Sequence, residues 1–154
     1  FASAPAYPPV CRLVIAGAGG SQEAEARALQ GPGCDLLGFV PDEDLAELYR
    51  RATLFVSLSS YEGFGLPIAE AMARGCPVMV ADNSSQAEVG GATAILVRDD
   101  SVEGMAQQLA EALADRQALL ERGRESRERA GELSWAATAR GTTDAWREAL
   151  GLHR

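Results

Sequence analysis

The chain has 154 residues, 22 acidic against 14 basic side chains, a net charge of −8, and 47% hydrophobic composition. That length suits one domain with its own core, and the composition excludes a disordered chain; no apolar run approaches the ~18 residues that a membrane span requires. The negative balance argues against a nucleic-acid backbone as partner, because no dense Lys/Arg stripe interrupts it.

Residues 1–10 hold Pro5, Pro8 and Pro9 and no basic residue ahead of an apolar run, so they read as neither signal nor transit peptide, and a cytoplasmic setting is expected. Short apolar runs then recur at 12–16, 35–40, 54–58, 77–81 and 94–97, each of strand length. Continuous runs of this kind suit strands covered on both faces, and the segments at 21–30, 42–52 and 67–74 between them have helix composition. The alternation predicts an α/β domain: a Rossmann-like parallel sheet with helices on both faces. From Ser101 onward the strands stop. Val102, Met105, Ala106, Leu109, Ala112 and Leu113 build one face of a helix over 102–114, and further helices are expected at 116–129 and 135–150, making a C-terminal helical tail. Asp42 and Ser134 stand where helix caps belong.

Three other features read as structural. Cys11, Cys34 and Cys76 are odd in number and widely spaced, which favours reduced, buried thiols over a disulfide framework or a metal site. His153, one residue from the end, is assigned no role. Arg122, Arg124, Arg127 and Arg129 alternate with Glu121, Glu125 and Glu128, which predicts a solvated helix face.

The segment from Ser57 to Val80 carries the chemistry, because it follows a buried strand and opens a helix. Gly63 and Gly65 let a ligand approach the main chain, and Pro67 is pre-set for the first helical position. The free N–H groups beyond the glycines, with the helix dipole, favour a phosphate or diphosphate. Glu70 falls about one turn inside, and helical side chains lean back toward the N-terminus, so its carboxylate can reach over the same place. A carboxylate there suits the two hydroxyls of a ribose. Glu62, on the other side of the glycine loop, is within reach of a sugar on the distal phosphate. Singly, Glu70 reads as an exposed helix glutamate and Glu62 as a helix-start acid. Together, bracketing Gly63-Phe64-Gly65-Leu66-Pro67, they describe a cradle for sugar, diphosphate and ribose.

This segment resembles the nucleotide-sugar site of the large retaining glycosyltransferase family often called family 4, which has the GT-B fold. Supporting likeness lies at residues 13–20, 37–45, 87–90 and 134–135, so it covers nearly the whole chain. The resemblance implies that residues 1–154 are a single C-terminal nucleotide-sugar-binding domain, half of a GT-B fold, lacking its first strand and helix. It implies transfer of a sugar from a UDP- or GDP-sugar to an acceptor hydroxyl, with retention, without a bound metal and with no cofactor. By the same resemblance Glu70 holds the ribose and Glu62 is the catalytic glutamate that touches the donor sugar or its phosphates. The backbone of Gly63, Phe64, Gly65 and Leu66 meets the sugar and diphosphate. Val40 reads the base edge, Gly17 and Gly19 form the turn beside the cleft, and Ser59 precedes the loop. Leu58 and Ala87 stand where the family commonly has proline.

The family's basic pair, which meets the leaving diphosphate, has no match here. The acceptor, a glycan or lipid-linked glycan, is expected on the other domain, at the inner face of a membrane, and this chain alone is expected to be inactive. If the strand at Leu13–Ala16 is the family's second, the central slot of the sheet should hold a strand of another polypeptide or a second copy. The other option is closure by direct pairing of 13–16 with 54–58.

Two rivals remain. Gly17-Ala18-Gly19-Gly20 after a strand suggests an NAD-dependent oxidoreductase, but Gln22 stands at the third glycine position and only Asp35 could serve as the ribose acid. The second is a non-catalytic binding or scaffold domain of the same fold.

Overall fold

The computed structural model describes residues 11–17 and 23–152. Gly19, His153 and the first ten residues lie outside that range. The chain divides into two compact units, one up to Leu48 and the other from Tyr49.

The first unit contains β1 (Leu13–Ala16), α1 (Glu23–Ala28), β2 (Cys34–Gly38) and most of α2 (Asp42–Arg51). β1 and β2 are parallel with Leu13 opposite Cys34, and the register slips between Ile15 and Ala16 so that Ala16 meets Gly38. β2 therefore ends two residues earlier than the apolar run to Val40 predicts. Gly38 has a left-handed φ of 66°, and its carbonyl accepts from the N–H of Gly17 at 2.8 Å. The α2 start also differs by one residue. The N–H of Leu45 bonds to the carbonyl of Pro41 at 2.9 Å, so Asp42 lies inside the first turn with Glu43 and Asp44, where the three acids complement the dipole.

The second unit has β3 (Phe55–Ser57), α3 (Leu66–Ala73), β4 (Val78–Ala81), α4 (Ser84–Gly90), a 3-10 turn (Gly91–Thr93) and β5 (Ile95–Val97). Then follow α5 (Val102–Ala114), α6 (Arg116–Glu132) and α7 (Trp135–Ala149). Its sheet is parallel in the order β3-β4-β5. The central strand is the uninterrupted apolar run, and Val78, Met79 and Val80 are all fully buried. Ile68, Ala71 and Met72 of α3, at i, i+3 and i+4, bury the face of that helix, each at 0% exposure. Burying an aliphatic side chain of this size contributes roughly 1.5–3 kcal/mol, so these residues dominate the unit's stability.

α3 stops at a Schellman motif. Gly75 (φ 76°) donates to Met72 O at 2.9 Å and Cys76 to Ala71 O at 3.0 Å, which satisfies two of the last carbonyls. α6 then lies against this turn, and only a glycine at position 123 allows it: a Cβ there would sit 2.4 Å from the carbonyl oxygen of Gly75.

Several expectations are corrected by the structure. α4, between β4 and β5, is a helix beyond those expected from the sequence. The α6 face is only partly solvated: Arg122 donates to Thr93 O at 3.1 Å, Arg129 to Glu88 O at 3.3 Å, and buried Ser126 bonds to the Thr93 hydroxyl at 3.2 Å. Residues 122, 126 and 129 share one helix side, and the two arginines satisfy carbonyls near the end of α4 and in the 3-10 turn. Arg124 and Arg127 are exposed, as the charge alternation predicts. Of the thiols only Cys76 is buried, while Cys34 is half-buried and Cys11 exposed. Ser134 does cap α7, accepting from Ala137 N at 3.2 Å. Within the first unit β1 takes β2 as its partner, and within the second β3 takes β4.

Candidate functional site

The site residues of the second unit lie where β3 leaves the sheet and α3 begins, at the carboxyl end of a parallel strand where open α/β sheets bind ligands. Gly65 is the N-cap of α3, with φ 89° and ψ 52° in the left-handed region. A side chain there would be strained, and its Cβ would come within 2.9 Å of Ile68 Cδ1. Its carbonyl receives Ile68 N at 3.0 Å and Ala69 N at 3.3 Å, which starts the helix. Pro67 has no N–H to satisfy in that first turn. Among the described residues, the N–H groups of Gly63, Phe64, Gly65 and Leu66 meet no backbone acceptor. No acidic side chain occupies the first turn of α3, and no side chain caps it. A Cβ on Gly63 would meet nothing within 4 Å, so the space over that backbone is open. Donors, dipole and open space together suit an anion at this end of the helix.

Glu70 sits on the second turn of α3 and is exposed. Its charge acts on Tyr49, whose ring meets Phe55 edge-on at 5.4 Å. Burial first, and the Glu70 carboxylate second, push the Tyr49 hydroxyl up to about 12. Glu62 is half-buried, and both ends of its peptide are held: its N–H donates to Ser84 Oγ at 3.2 Å, and its carbonyl accepts from Ser85 Oγ at 2.9 Å. The carbonyl of Ser59 accepts from Gln86 Nε2 at 2.7 Å and Asn83 Nδ2 at 3.3 Å. Phe64 and Leu66 are exposed, whereas Gly65 is buried. Gly17 (φ 129°) and half-buried Val40 belong to the first unit.

The sequence reading missed the four residues 83–86 that hold the loop. Asn83-Ser84-Ser85 directly after a buried strand is a helix-start signal, and its place at the carboxyl end of β4, next to β3, was the available clue.

Asp35 is the second residue of β2, away from the strand's carboxyl end, and its carboxylate is gripped by the Arg12 guanidinium, which holds it below its ordinary range. The dinucleotide reading thereby loses its ribose acid. Among the described residues no group of three His, Cys, Asp or Glu side chains converges, and no helix is long and apolar enough to cross a membrane.

A parallel α/β unit with a left-handed glycine turn between strand and helix defines a broad class of folds. Comparison narrows it: residues 2–132 match the model of the family described as glycosyl transferases group 1, and the chain belongs to that family. An O-antigen chain mannosyltransferase B from Escherichia coli is 44% identical over 79 residues, 51% of this chain and 21% of the relative. A D-inositol 3-phosphate glycosyltransferase from Gordonia bronchialis is 36% identical over 140 residues, 84% of this chain and 31% of the relative. The solved sucrose-phosphate synthase of Thermosynechococcus elongatus superposes with a TM-score of 0.76 at 26% identity, over 92% of this chain and 39% of its own. The architecture is thus the mixed α/β, parallel-strand fold of GT-B enzymes, and the chain spans between about a fifth and a third of the length of these two curated relatives.

Proposed function

We propose that the protein of which this chain is part transfers a sugar from a nucleoside diphosphate to an acceptor hydroxyl with retention, and that the turn between β3 and α3 receives the donor. The observation that carries this reading is Gly65: a buried, left-handed glycine at the N-cap of α3, preceded and followed by N–H groups that meet no backbone acceptor among the described residues. In this reading the amides of Gly63, Phe64, Gly65 and Leu66 meet the diphosphate and sugar. Glu70 accepts the ribose hydroxyls, Glu62 faces the sugar being transferred, and Ser59 supports the loop. Charge developing on the leaving diphosphate is stabilised by preorganised N–H groups and the helix dipole rather than by a metal ion. The carrier is uridine or guanosine diphosphate, no cofactor takes part, and the acceptor glycan or lipid-linked glycan is held by another part of the protein, in the cytoplasm.

A thermal-shift panel on the full-length protein tests the reading. UDP or GDP should raise the melting temperature by mass action while NAD leaves it unchanged, and sugar transfer should survive EDTA. Stabilisation by NAD alone would support a dinucleotide enzyme. Loss of transfer in EDTA that magnesium or manganese restores would contradict the metal-free route.

A further inference from the structure

The amide of Gln86 is fully buried, at 0% exposure, in a unit whose other largest buried side chains are nearly all apolar. A primary amide taken out of water without partners is strongly disfavoured, so its presence needs a full set of bonds. Gln86 has that set. Nε2 donates to Ser59 O at 2.7 Å and to Asn83 Oδ1 at 2.9 Å, and Oε1 accepts from Ser57 Oγ at 3.2 Å. Its orientation is fixed chemically, because the Ser59 carbonyl can only accept and must therefore face the nitrogen. The amide thus joins the end of β3 to the start of α4 from a fully buried position.

Three residues past Ser59 the same short stretch of α4 holds Glu62, through Ser84 to its N–H and Ser85 to its carbonyl. Ser84 carries a φ of 45°, left-handed for a residue with a side chain, and its hydroxyl also donates to Asn83 Oδ1 at 3.1 Å. Those outer bonds are open to solvent or only partly buried, so water competes for them. The bonds of Gln86 run to part-buried partners, but its amide is itself fully enclosed, and a satisfied network around a buried amide specifies one arrangement. We infer that Gln86 is a positioning residue: it locks the β3 end against α4 and so sets where the Glu62 peptide, and with it the carboxylate, stands beside the glycine turn.

The inference rests on the assignment of Glu62 to the donor sugar. It is tested in the full-length protein with Gln86→Met, which keeps volume and removes the hydrogen bonds, beside Ser85→Ala and Glu62→Ala. Gln86→Met should lower kcat for transfer by about tenfold or more, because misplacement of the reacting groups by a fraction of an ångström is costly. Its Kd for the nucleoside diphosphate should stay within about twofold, since Glu70 and the α3 amides are not its partners. Ser85→Ala should lower kcat by roughly threefold, in the same sense. A folded Gln86→Met protein with parental kcat, or one that loses kcat, nucleotide affinity and melting temperature together as a purely structural residue would, overturns the inference. If Gln86→Met does not fold, Ser85→Ala decides, and parental kcat there is likewise fatal. Parental transfer by Glu62→Ala refutes the role of Glu62 itself, and with it the purpose given to Gln86; loss in Glu62→Ala with no loss in the other two refutes only Gln86.

Discussion

Both units are built from the same alternation of strand and helix, yet the unit up to Leu48 and the unit from Tyr49 differ in what they bury. Every fully buried apolar side chain among the described residues belongs to the second. There β4 has a strand on each side, and α3 and α6 pack together across the turn at Gly75. The first unit has two paired strands, with Leu13 at 53% and Phe39 at 80% exposure. A two-stranded sheet lacks the apolar closure that three strands with packed helices provide. The lesson is that strand-like composition announces an element but not its depth, and that the proposed catalytic machinery rests on the deeper unit.

The largest expected effect sharpens this contrast. Met79→Ala should destabilise the chain by about 2–5 kcal/mol in urea melts, while Leu13→Ala should cost under ~1 kcal/mol because that side chain is half in water already. Equal losses would break the comparison. Gly123→Ala should follow with about 1–3 kcal/mol, as its methyl meets the Gly75 carbonyl and forces α6 off the α3 turn; an unchanged melt would mean that this approach is not needed.

Two titrations probe the same difference more gently. Burial pushes the Cys76 thiol up to about 11 from 9.0, and Tyr49 to about 12 from 10.0. Both pKa values are raised in the folded state, so their contribution is fully present below pH 9 and is lost as pH rises through 11 and 12. Alkaline melts should show the loss, and Cys76→Ala should remove the part that begins near pH 9. The smallest effect is in rate: at neutral pH iodoacetamide should label exposed Cys11 first and Cys76 last, read by peptide mass, and comparable rates would show the second core to be open.

Much of the fold was legible because the strands are continuous apolar runs: 77–81 foretold the buried β4, and the α5 bounds came from periodicity alone. The glycine turn was legible because Gly65 and Pro67 have few structural purposes at that spacing. What escaped was polar and interior. Gln86 looks in sequence like a surface residue, and only its three partners, from Ser57 to Asn83, explain its burial. Arg122 and Arg129 alternate with acids as solvated residues do, yet they end on carbonyls of α4 and the 3-10 turn. Cys11 shows the reverse error, since a thiol at the start of a strand is buried only if something covers it.

The central claim is that the turn ahead of α3 holds a nucleoside diphosphate with Glu70 on its ribose. Calorimetry of UDP and GDP binding to the full-length protein and to Glu70→Ala tests it most directly. Removing a charged acceptor should weaken binding of the preferred nucleotide by ~1.5–3 kcal/mol, and the 2′-deoxy nucleotide should bind the parent protein more weakly as well. Unchanged affinity in Glu70→Ala would contradict the account.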